Sequence, residues 1–221
     1  MTTSRRLPIS TQSFKQLRND GDLYVDKTQY IEKLFSLGRI FFLSRPHRFG
    51  KSLFLSTLRA YFEGKKELFQ GLYIEKAEEE IARLQRREPW EYSPVLYIEL
   101  NAEHFSSLEI LENCLETHLV AWEARYGSNG VAKTPAGRFR SVVERAYEQT
   151  KRQVVILIDE YDKPLLETFD APERNERFRT QLKSFYEVLK KSDAYIRFAF
   201  LTGITKFSKI VLFSGLNNLV D

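Results

Sequence analysis

The stretch that most constrains this chain is Arg45-Pro46-His47-Arg48-Phe49-Gly50-Lys51-Ser52, preceded by the apolar run Ile40-Phe41-Phe42-Leu43 and followed by Leu53-Phe54-Leu55-Ser56-Thr57-Leu58. A buried strand delivers the chain to a tight loop, and a helix begins at Gly50-Lys51-Ser52. Free backbone N–H groups and the positive helix end then converge on one point, which suits an anion. In the phosphate-loop pattern GxxxxGK[ST] the lysine reaches the β- and γ-phosphates, the hydroxyl ligates Mg²⁺, and the glycines let the backbone come close. Gly50, Lys51 and Ser52 match, whereas Arg45 stands where the first glycine belongs. Pro46 fixes its φ near about −65° and lacks an N–H, so the bend must be built differently. The amides of Arg48, Phe49, Gly50, Lys51 and Ser52 still form a cradle, with Leu53 completing the candidate binding set. The same residues also allow an ordinary strand, loop and helix around a Gly-Lys-Ser tripeptide.

A second stretch favours the phosphate reading. Val154-Val155-Ile156-Leu157-Ile158 suits a central parallel strand buried on both faces, and it ends in Asp159-Glu160-Tyr161-Asp162. Acids at the C-terminal end of such a strand sit beside the crevice where open α/β sheets bind ligands. Asp159 can hold Mg²⁺ through water, and Glu160 can orient and deprotonate an attacking water. The competing explanation is a buried strand that ends in solvated acids.

The 221 residues and 26.0 kDa suit one sizeable α/β core. A hydrophobic content of 43% with 14% aromatic residues excludes a disordered chain. The single Cys114 excludes an internal disulfide and fits a reducing compartment, as a small core residue on an apolar helix. No apolar run approaches the roughly 18 residues of a membrane helix, and no signal-peptide core follows Met1. A cytoplasmic protein is expected. The net charge of +4 arises from interspersed bases and acids, so it does not by itself support nucleic-acid binding.

Taken in order, Asp26 or Thr28 can cap a helix carrying Tyr30, Ile31, Leu34, Phe35 and Leu37. Tyr24 and Asp26 either pack and cap there or flank a nucleotide base. The segment 75–88 reads as a surface helix with Ala77, Ile81 and Leu84 buried and its charges solvated. Val95-Leu96-Tyr97-Ile98-Glu99-Leu100 is a second strand, and Asn101 and Glu103 follow it at the motif edge. Helices are expected over 106–126, 135–152 and 173–191, and a last strand over 195–201. Strands alternating with helices imply a parallel sheet covered on both faces. His47, His104 and His118 are scattered and do not suggest zinc. The Glu63-Gly64-Lys65 triplet lacks the preceding strand acid of a metal nuclease.

Gly50-Lys51-Ser52, the run ending Asp159-Glu160-Tyr161-Asp162, and the strand leading to Thr202-Gly203-Ile204-Thr205-Lys206-Phe207-Ser208 together resemble the AAA-ATPase-like family. Many of its members carry a PD-(D/E)XK nuclease-like domain after the ATPase. The resemblance runs from about Pro8 to Phe213-Ser214-Gly215-Leu216-Asn217-Asn218-Leu219, and an arginine-proline start to the loop is usual in that family. It implies a three-layer α/β P-loop NTPase, with the fourth strand between the two motif strands. It also implies one domain over 1–221, with an arm and helix over 1–38 and a nucleotide-binding core over 39–221. Because the chain stops at Asp221 where members of the family continue, the C-terminal strand or lid and the nuclease-like domain are expected to be absent.

By the same resemblance, Lys51 binds the β- and γ-phosphates, Ser52 and Asp159 hold Mg²⁺, Glu160 is the catalytic base, and Thr202 or Thr205 senses the γ-phosphate. ATP is favoured over GTP because Thr205-Lys206-Phe207-Ser208 lacks the aspartate of [NT]KxD. No arginine finger is identifiable; Lys206 and Lys209 are candidates for its charge, and Arg45 and Arg48 are alternatives in cis. The expected function is Mg²⁺-dependent ATP hydrolysis, with self-association or a protein partner. The alternative is a nucleotide-dependent switch with little hydrolysis that controls a partner or a nuclease-like domain.

Overall fold

The computed structural model describes residues 6–8, 11–101, 103–205, 212–213 and 219–220. Helices α1 (Phe14–Asn19) and α2 (Gln29–Leu37) precede β1 (Ile40–Ser44) and α3 (Lys51–Phe62). Then come α4 (Tyr73–Leu84), β2 (Val95–Glu99), α5 (Leu108–Tyr126), α6 (Pro135–Thr150) and β3 (Val154–Asp159). The chain continues through α7 (Lys163–Leu166), α8 (Pro172–Tyr186), α9 (Val188–Lys191) and β4 (Ile196–Gly203) to β5 (Leu219–Val220). The strands form one parallel sheet in the order β2-β3-β4-β1-β5. As expected, β4 lies between the strands that carry the two motifs. The expected sheet stopped at four strands; Leu219 and Val220 add a fifth, opposite Ile40 and Phe41.

Strand β3 is buried along its whole length, which its unbroken aliphatic run requires. Its side chains divide between two cores by the strand's period of two. Val154, Ile156 and Ile158 meet Leu111, Leu115 and Leu119 of α5, Val142 and Val143 of α6, and Phe178 and Phe185 of α8. Val155 and Leu157 meet Leu55, Leu58 and Phe62 of α3, together with Phe14, Ile31 and Ile74. Helices therefore cover both faces, giving the three-layer P-loop NTPase-like fold. Among the described residues no helix is long and apolar enough to cross a membrane.

Local chemistry sets the helix ends. Ser107 and Thr134 cap α5 and α6 by accepting the amides of Ile110 and Gly137. Gly127, at φ 82°, ends α5. The expected helix over 173–191 is two helices that meet at Glu187, whose carbonyl accepts from both Lys190 and Lys191 in a tightened turn.

Helix α4 departs further from expectation. It stops at Leu84, because Arg86 turns left-handed at φ 53° and sends Arg87 back onto Glu78. Leu84 is exposed, and the buried stripe is Ile74, Glu78, Ile81 and Ala82. The charges of this helix are thus not all solvated. Glu78 is 0% exposed and accepts from Arg87, the Tyr61 hydroxyl and the Trp90 amide. A buried carboxylate is tolerated only when paired in this way.

Candidate nucleotide site

The loop between β1 and α3 is held at both ends. The Arg45 amide donates to the Gly203 carbonyl at 3.2 Å, so the loop leaves the sheet against the end of β4. Gly50, at φ 75°, is the residue before α3, and Arg48 takes φ 66°, a left-handed conformation unusual for a side chain with a Cβ. A Cβ at Gly50 would meet nothing within 4 Å, so its glycine serves the backbone angle. These two positive angles bend the loop without a glycine at position 45.

Lys51 is only 5% exposed, and its Nζ donates to the carbonyls of Arg45 (2.9 Å) and Pro46 (3.1 Å). An ammonium has three N–H donors, so one remains beyond those two bonds. Arg45, Arg48 and Phe49 are exposed on the same loop, and Ser52 and Leu53 are half-buried in the first turn of α3.

Asp159 closes β3 at the same edge of the sheet. It is 0% exposed; its Oδ1 accepts from the Thr202 hydroxyl, while its Oδ2 is buried without a hydrogen-bond partner among the described residues. Buried carboxylate oxygens are almost always satisfied, so an unpaired one beside an anion loop fits a cation. No three or more His, Cys, Asp or Glu side chains come together to hold a metal among the described residues.

Glu160 turns off the strand at φ 54°, its amide donates to the Thr202 hydroxyl at 3.2 Å, and the Tyr161 amide donates to the Thr202 carbonyl at 2.9 Å. Strain of this kind persists where neighbours over-determine it. The Glu160 side chain is 13% exposed, and its Oε1 lies 3.6 Å from Nδ1 of His47 on the phosphate loop. The two motifs are therefore in contact, across the strand that separates β1 from β3.

The two threonines expected near the γ-phosphate are already engaged. Thr202 gives its single hydroxyl proton to Asp159 and accepts from Glu160. Thr205 donates its amide to Asp162 Oδ2 at 2.8 Å, and its hydroxyl lies 3.3 Å from the same oxygen. Asp162 also accepts the Ile204 amide; burial raises its pKa above the ordinary carboxylate value, against the pull of the Thr205 and Ile204 amides. Lys206 and Lys209 lie outside the described residues.

Tyr24 and Asp26 act as tethers of the arm. Tyr24 packs edge-on against Phe14, and Asp26 accepts from the Thr28 amide and hydroxyl and from the Tyr73 amide. Asn101 and Glu103 contribute carbonyls that accept from Lys163. Residue-by-residue reading missed His47 and Asp162 as partners within the site. Their positions between two loop residues and beside two acids were visible, but their partners arrive from other strands.

A family model described as "AAA-ATPase_like: Predicted AAA-ATPase" matches residues 8–213. The chain is 39% identical over 221 residues to an "Uncharacterized protein in vnfD 5'region" of Azotobacter chroococcum mcd 1. That alignment covers 98% of this chain and 40% of the relative, so the chain spans well under half of that protein's length. No solved structure matches.

Proposed function

The chain belongs to the predicted AAA-ATPase family, and we propose that it forms one nucleotide-binding domain that binds ATP with Mg²⁺ and hydrolyses it. The observation that carries this reading is the buried Oδ2 of Asp159, without a hydrogen-bond partner among the described residues, at the sheet edge that also carries the Lys51 loop. Lys51 turns its remaining donor to the β- and γ-phosphates, the amides of 48–52 cradle them, and Arg45 and Arg48 supply further positive charge. Ser52 and Asp159 are the residues that would hold Mg²⁺, which when bound neutralises phosphate charge. Glu160 orients and deprotonates the attacking water. Thr202 holds Asp159 and Glu160 in mutual register.

The test is nucleotide binding by the wild type, Lys51→Ala and Glu160→Gln, with and without Mg²⁺, followed by single-turnover phosphate release. Lys51→Ala is expected to lose affinity; Glu160→Gln is expected to bind and not release phosphate. Equal ATP affinity in wild type and Lys51→Ala refutes the reading.

A second reading is favoured by the length of the relative, of which this chain matches 40%. A module within a longer polypeptide can serve as a nucleotide-dependent switch that controls a partner or a nuclease-like domain with little turnover. ATP binding without Glu160-dependent phosphate release selects it.

A further inference from the structure

We infer that His47 is the positioning residue for the Glu160 carboxylate, so that the loop built to hold phosphate also carries the group that aims the base. The inference rests on the reading of Glu160 as that base.

Glutamate has a long flexible side chain, and a base must be held in place to keep a water in line. The backbone of Glu160 is fixed by Thr202 through two consecutive amides, those of Glu160 and Tyr161. That fixes where the side chain begins and leaves its end to be anchored. Its carboxylate is largely enclosed, and the facing group is His47, whose side chain is 66% exposed and whose Nδ1 lies 3.6 Å from Oε1, beyond hydrogen-bond length.

His47 is itself delivered by a restrained backbone. Pro46 precedes it with a fixed φ, Arg48 follows it at φ 66°, and Lys51 Nζ ties down the carbonyls of Arg45 and Pro46. Lys51 therefore joins these anchoring carbonyls, through two of its donors, to the phosphate that its third donor would meet. Occupation of the loop and the aim of Glu160 are thereby coupled through residues 45–47. Arg45 and Arg48, the other cations of this loop, are both exposed; Arg45 donates to the Ser44 carbonyl.

The experiment uses the full chain and the variants His47→Ala, His47→Gln, Glu160→Gln and Lys51→Ala. In the nucleotide-free protein the ring resonances of the three histidines are followed by NMR, with His47 assigned from His47→Gln. Glu160→Gln is expected to move the His47 resonance and leave those of His104 and His118 in place; an unmoved His47 overturns the inference. With Mg²⁺ and ATP, His47→Ala is expected to slow single-turnover phosphate release by about tenfold to a hundredfold, as misplacement of a reacting group does. Its ATP affinity and melting temperature stay close to wild type, and His47→Gln recovers part of the rate because its amide can donate to a carboxylate. A purely structural role would lower melting temperature and affinity together, with no recovery by glutamine, and that result also overturns the inference. Undiminished ATP binding by Lys51→Ala defeats the nucleotide reading, and the NMR arm still decides the pairing. A wild type that binds ATP without Glu160-dependent release likewise leaves that arm decisive.

Discussion

Replacing Thr202 by valine keeps the shape of the side chain and removes the hydroxyl that joins Asp159 to Glu160. Both lost bonds have partners that stay in place. Asp159 is 0% exposed, so its Oδ1 joins Oδ2 in having no donor among the described residues, and the Glu160 amide loses its acceptor. A hydrogen bond to a charged group is worth about 1.5–3 kcal/mol, and an orphaned N–H costs about 1 kcal/mol or more. The sum is about 3 kcal/mol, which for a chain of this size lowers the melting temperature by about 6–12 °C. Thr202→Ser keeps the hydroxyl and loses one buried methyl, about 0.8 kcal/mol, for a fall of about 2–3 °C. Urea unfolding of the three proteins, with slopes compared to confirm the same exposed surface, gives the order wild type, serine, valine. A valine variant as stable as the serine variant refutes the idea that this hydroxyl clamps the acids.

Three other outcomes follow from the geometry. Gly203→Ala puts a Cβ 2.4 Å from Tyr161 Cε1 and 2.7 Å from Asp162 Oδ1, so overpacking costs about 1–3 kcal/mol, and a wild-type urea midpoint would contradict the tight contact at the end of β4. Arg87→Met leaves the Glu78 carboxylate buried without its ion partner, at a cost of about 3–5 kcal/mol; adding Glu78→Gln should restore much of it, and a single-variant loss below about 1 kcal/mol would contradict the pairing. His118 sits against Glu99 and stacks on Trp122, and burial lowers its pKa below the usual histidine value, against the pull of the Glu99 carbonyl. Between the lowered folded value and the unfolded one the unfolded chain binds more protons, so stability is full above about pH 6.5 and falls as pH drops through that window. Equilibrium unfolding between pH 5 and 8 should show this slope, flattened in His118→Gln; an unchanged slope assigns it to other groups.

The sheet and its motif edge were legible because they rest on chemistry local to the chain. Five aliphatic residues before Asp159 suit a strand buried on both faces, and a glycine before Lys51-Ser52 marks the left-handed entry to α3. What escaped depends on distant partners. Glu78 reads as one more surface acid until Arg87 is seen to fold back on it. His47 reads as a loop residue until β4 brings β1 beside β3 and sets Glu160 within 3.6 Å. Thr202 reads as a hydroxyl at the strand end, and its bond to Asp159 is set by the pairing of β4 with β3. Leu219 and Val220 are too short a pair to announce a strand by pattern.

The strand order also governs how the protein is made. β1 emerges early, yet its full-length neighbour is β4, with Ile40 opposite Ala199. Parallel pairing across such a separation is slow to form. During vectorial synthesis at roughly 5–20 residues per second, Phe41 and Phe42 therefore wait as an unmated apolar ribbon until the ribosome has produced Ala199. Chaperone demand should peak in that interval, and a ribosome-bound intermediate halted before β4 should be the form most prone to aggregate.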